Sequence, residues 1–131
     1  MEPKTPIKAQ PYGTQDDQFT FFNGAAGGTN ANSGMLTVAA GVKSGSIMIS
    51  TNSAYDGTTG TVVLQGSNDG GTTWAGVLQD DNATAMSFTL AAGANTDTFQ
   101  LKRVLFKFYR LVYTAGNATL GTVTANYVGK I

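Results

Sequence analysis

The ionisable residues of this chain set narrow limits on its chemistry. The acidic ones are Glu2, Asp16, Asp17, Asp56, Asp69, Asp80, Asp81 and Asp97. Glycoside hydrolysis takes two convergent carboxylates, one of them with a pKa raised by burial. Each acid here falls in the N-terminal stretch, in a turn or at a strand end. A buried pair is not expected, and the chain reads as a non-enzyme. Asp80-Asp81-Asn82 offers oxygens of the kind Ca²⁺ takes. The EF-hand spacing is missing, however, and a hairpin turn accounts for the same triplet. There is no Cys and no His. That removes disulfides, zinc sites of the usual kind, thiol nucleophiles and every Ser-His or Cys-His pair. The one concentration of cations is Lys102, Arg103, Lys107 and Arg110, interleaved with Phe106, Phe108 and Tyr109. Single-strand stacking platforms mix the same residue types. The formal net charge is +0, though, and nucleic-acid binders carry a basic surplus. No Gly-rich phosphate loop is present. Neither a cofactor nor a metal nor nucleic acid is expected.

The elements that carry these residues are short and β-prone. Met1–Gln18 holds all 3 prolines, at Pro3, Pro6 and Pro11, and little apolar bulk beyond Ile7 and Tyr12. It reads as an extended arm, with Ile7 and Tyr12 as candidate anchors on a neighbouring subunit. It has no apolar h-region of a signal peptide, and no run approaches the roughly 18 apolar residues of a membrane span. Residues 19–131 form a single domain. Short apolar runs alternate there with turns rich in Gly, Asn, Asp and Ser, and no window keeps a 3.6-residue period. About eight or nine short strands at a spacing of about ten residues predict an all-β antiparallel sandwich, Ig-like or jelly-roll-like. Strands are expected at Phe19–Phe22, Met35–Ala40, Gly45–Thr51, Thr61–Gln65, Thr72–Gln79, Ala83–Leu90, Asp97–Gln100, Val104–Thr114 and Thr119–Val128. Asn23–Gly34 reads as a loop, and Asn52–Gly60 as a turn with a lone Tyr55 on it.

Alternation assigns the core. Val62 and Leu64 share one face of their strand. Tyr109, Leu111 and Tyr113 share another and are placed inside, because Arg110 belongs in solvent. Val123, Ala125 and Tyr127 are placed inside on the last strand. This leaves Phe106 and Phe108 on the outer side with Arg110. Either a bulge near Lys107 turns Phe106 inward, or these rings lie in a contact surface.

The chain is organised around Thr61–Gln79, TVVLQGSNDGGTTWAGVLQ. Two β-prone runs flank a turn of Gly, Ser, Asn and Asp, the signature of a β-hairpin. Ser67, Asp69, Gly71, Thr73 and Trp74 match every specified position of S-x-D-x-G-x-T-W. The segment resembles the Asp-box of sialidases, which lies away from their active site. The resemblance implies Asp69 as the brace of the turn and Trp74 as a core anchor beneath it. It implies nothing about glycan chemistry.

Low charge suits a subunit of an assembly better than a free monomer, since only 12% of residues are charged. QGSNDGGTTW at Gln65–Trp74 and FYRLVYTAGNATLGTVTANYVGK at Phe108–Lys130 resemble small virion proteins of tailed bacteriophages. That resemblance implies a β-sandwich mounted on a phage particle and made in the host cytoplasm. The expected role is a capsid decoration or cement subunit, oligomeric, bound to the major capsid protein or other virion proteins. The alternative is a carbohydrate- or receptor-binding fibre or tail module, with Tyr12, Tyr55 or Trp74 as a glycan platform.

Overall fold

A computed structural model describes residues 17–79 and 83–130. Every regular element among them is a strand: β1 Gln18–Ala26, β2 Ala31–Asn32, β3 Leu36–Thr37, β4 Ser44–Thr51, β5 Thr61–Ser67, β6 Ala75–Gly76, β7 Ser87–Thr89, β8 Asn95–Leu101, β9 Phe108–Thr114 and β10 Thr122–Lys130. They form two sheets, one of four strands in the order β1-β10-β4-β8 and one of six. In the second, β9 and β5 pair at the centre, β2 and β3 share the outer edge of β9, and β6 and β7 share the outer edge of β5. All pairings are antiparallel. The fold is the expected all-β antiparallel sandwich.

Period-two alternation decides which side chains fill the space between the sheets. Ile47 and Ile49 of β4 and Val123, Ala125 and Tyr127 of β10 come from one sheet. Val62 and Leu64 of β5 and Tyr109, Leu111 and Tyr113 of β9 come from the other, and all of these are buried in one cluster. Burying each large apolar side chain contributes about 1.5–3 kcal/mol. A one-residue slip in either sheet would turn the whole set to solvent, so the pattern also fixes the register.

The strand limits depart from expectation where small residues or turns mislead. Asn23–Gly34 is not one loop. β1 continues to Ala26 because register shifts after Thr20 and after Phe22 take up extra residues, with Gly24 at φ 70° and its N–H on Thr124 Oγ1 at 3.1 Å. β2 then pairs with Tyr113 and Val112. At the start, Gln18 already pairs with Val128, and Gly129 N–H donates to the Asp17 carbonyl at 2.6 Å. The strand therefore begins inside the stretch assigned to the arm. The rest of that arm, with Ile7 and Tyr12, lies outside the described residues, as does the Asp80-Asp81-Asn82 turn.

Phe106 and Phe108 separate. Regular pairing of β9 begins only at Phe108, after a bend at Lys107. Phe106 thereby turns inward, edge-on to Tyr109 with ring centroids 5.9 Å apart. Its ring lies on Gly66, where a Cβ would overlap it. The Tyr109 hydroxyl accepts the N–H groups of Leu105 and Phe106 at 3.1 and 3.2 Å, which pins the bend. Phe106 is thus a packing residue and not a contact candidate. Phe108 stays on the outer face.

Candidate functional site

The β5–β6 hairpin is built around two side chains. Ser67 is buried at the end of β5. Its hydroxyl donates to Asp69 Oδ1 at 2.7 Å and accepts the N–H groups of Gly71 at 3.0 Å and Asp69 at 3.3 Å. Asp69 Oδ1 also accepts Thr73 N–H at 2.8 Å. Gly70 and Gly71 supply consecutive positive φ values, 75° and 90°, that let the chain close over these acceptors. Asn68 Oδ1 accepts Lys107 N–H at 3.0 Å and ties the hairpin tip to the segment before β9.

A second carboxylate does similar work at the far end of the sandwich. Asp56 Oδ1 accepts Thr119 N–H at 2.7 Å and Leu120 N–H at 3.0 Å, and its other oxygen accepts the Thr119 hydroxyl. Hydrogen bonds to the ionised form hold both carboxyls near pKa 2 against an ordinary 3.8. For Asp56 the Thr119 hydroxyl dominates, and for Asp69 the Thr73 amide does. Both carboxylates are exposed. Their folded-state values lie below the unfolded ones, so their stabilisation is complete above pH 3.8 and is lost as the pH falls towards 2. Melting temperature should therefore drop across that window. In Asp69→Ala it should drop less steeply, from a lower starting value at pH 7. An acid limb with the same slope in parent and variant would show that Asp69 is not part of it.

Trp74 is not a core anchor. Gly66 pairs with Ala75 and Gln65 with Gly76, so Trp74 falls level with Ser67, on the outward face of the six-stranded sheet. There it is half-buried, with the Arg110 guanidinium 4.5 Å from its ring centroid. Arg110 sits directly across from Gln65 and donates from Nε to Gln65 Oε1 at 2.7 Å. Phe108 and Val112 flank Arg110 on the same face of β9. The sequence offered no local signal for this cluster. It follows from the β5–β6 and β5–β9 registers taken together.

The remaining candidates disperse. Tyr55 is buried, with its hydroxyl 2.9 Å from that of Tyr113, so it is no glycan platform. It belongs to the core cluster although its turn is polar. The cations do not converge on one platform. Lys102 and Arg103 line a groove of about 280 Å³ with Leu78, Phe99 and Leu105, whereas Arg110 lies on the outward face of β9. Among the described residues no group of three or more Asp or Glu side chains is placed to hold a metal ion. No helix among them is long and apolar enough to cross a membrane. No model of a known protein family matches the chain, and no curated protein or solved structure does either.

Proposed function

We propose that the chain is a non-enzymatic structural subunit of a bacteriophage particle, a decoration or cement protein that joins neighbouring shell proteins. One observation carries the reading: among the described residues, the outward face of the four-stranded sheet is nearly free of charge. One row across the four strands is Thr20, Asn126, Met48 and Thr98, and the next is Gln18, Val128, Ser46 and Gln100. Thr124, Ser50 and Thr96 extend it, and Lys130 sits only at a corner. Met48 and Val128 are exposed at the middle, at 51% and 45%.

Covering such a face strips water from hydroxyls, amides and apolar groups and from almost no ion, which keeps the desolvation cost low. The covered face adds buried area at the joint between two shell subunits and raises the work of separating them. The resemblance of the hairpin and of the β9–β10 segment to phage virion proteins points the same way. Gradient-purified particles should contain the chain at a fixed copy number. Met48→Asp places a charge at the centre of the face without touching the core. It should leave the melting temperature nearly unchanged and lower that copy number several-fold. Parent-level incorporation of Met48→Asp would refute this face as the contact, and absence of the parent chain from particles would refute the function.

A further inference from the structure

A guanidinium on the opposite side of the sandwich is held by two contacts, while most of its donors have no partner among the described residues. Arg110 Cζ lies over the Trp74 ring, and Gln65 takes the Nε–H. Neither contact uses the Nη1 or Nη2 hydrogens, and Arg110 is only half-buried. The hydrogen-bond partner of Arg110 among the described residues is an amide oxygen and not a carboxylate. Arginine in this state is set for end-on, two-point capture of an oxyanion. The rotamer freedom normally lost on capture has already been lost on folding.

The surroundings narrow the ligand. Val63, Val112 and Phe108 are half-buried around Arg110 on the same face. A Trp and an Arg set among apolar side chains is the composition of a protein–protein hot spot. A sugar would need a free aromatic face and several hydroxyl or amide partners, yet the Trp74 ring already carries Arg110. A nucleic-acid backbone would need a stripe of cations, and Lys102 and Arg103 line a groove elsewhere.

We propose that the Trp74–Arg110 face docks a partner protein by receiving one of its Asp or Glu carboxylates on Nη1 and Nη2 of Arg110. The proposal rests on the reading of the chain as an assembly subunit and gives that subunit a second contact face, as joining two neighbours requires.

The test uses the full chain in solution, apart from any particle. Trp is present only once, at position 74, beside 5 Tyr, so fluorescence excited at the red edge, where only indole absorbs, reports on this face alone. Poly-L-glutamate of defined length is the probe. Titration should give a saturable change in Trp74 emission that weakens as salt is raised. Arg110→Gln should weaken binding roughly tenfold or more, the effect of losing a charge-assisted pair. Arg110→Lys, which keeps the charge but not the fork, should recover only part of it. Lys107→Gln should bind like the parent. No saturable change, or equal binding by Arg110→Gln, overturns the proposal. Binding of polygalacturonate in place of polyglutamate overturns it in favour of an acidic glycan. Arg110-dependent self-association in sedimentation overturns it in favour of a second copy. Particle incorporation of Met48→Asp is unaffected by any of these results, so the two readings fail separately.

Discussion

Gly121→Ala is expected to destabilise the protein by more than about 4 kcal/mol, a loss reserved for substitutions with a specific structural cause. Two causes act together. Gly121 has φ 85°, a conformation that costs a residue with a side chain about 1–2 kcal/mol. A Cβ there would also overlap the backbone N and Cα of Tyr55. Backbone cannot step aside as a flexible side chain can, so the Asn52–Asp56 turn would have to move. That turn is held from several directions. Asn52 exchanges bonds with Thr122, Asp56 holds Thr119 and Leu120, and the Gly121 carbonyl accepts Gly27 N–H at 2.8 Å. Gly24→Ala serves as the control, because Gly24 has φ 70° and nothing within 4 Å of the added carbon. It should lose only the backbone share. Urea denaturation of both variants measures the difference. Equal losses at the two positions would mean that close packing at Gly121 does not matter.

The sandwich was legible because alternation is a local property. Val62 and Leu64, Tyr109, Leu111 and Tyr113, and Val123, Ala125 and Tyr127 each lie two residues apart, and each set is buried. Strand ends were less legible. Thr72 and Thr73 have β-prone side chains, but the hairpin uses Thr73 N–H to satisfy Asp69, so β6 begins only at Ala75. Gly24 reads as a breaker, yet an edge strand with bulges accommodates it. Trp74 shows the limit most clearly. The Asp-box resemblance placed it inside, whereas the facing pair Gly66–Ala75 turns it out towards Arg110. Tyr55 erred in the opposite direction. A polar turn carries it, but the partner that draws it inward is 58 positions away in the chain. Side-chain identity predicts a face only once the cross-strand partner is known, and that partner is non-local.

That non-local pair carries the second large effect. Tyr113 is fully buried, and its hydroxyl lies 2.6 Å from the Gly27 carbonyl and 2.9 Å from the Tyr55 hydroxyl. A phenol has one hydrogen. A carbonyl can only accept, so Tyr113 donates to Gly27 and Tyr55 donates to Tyr113. Burial raises the Tyr113 pKa above its ordinary 10.0, with the Tyr55 contact adding to the shift. Its stabilisation is therefore complete below pH 10.0 and is lost as the pH rises beyond it. Tyr113→Ala should cost roughly 3–5 kcal/mol for the cavity alone, the range for removing a buried ring. The unpaired Gly27 carbonyl and Tyr55 hydroxyl add to that loss. Tyr113→Phe keeps the ring and isolates the polar part, roughly 1–3 kcal/mol for each buried group left without its partner. Tyr55→Phe should cost less than Tyr113→Phe, because Tyr113 still donates to Gly27 and loses only an accepted bond. The double variant Tyr55→Phe/Tyr113→Phe should cost less than the sum of the two, since the first change already removes the shared bond. Equal losses for the two single variants, or strict additivity, would show that the hydroxyls do not act as a directed chain.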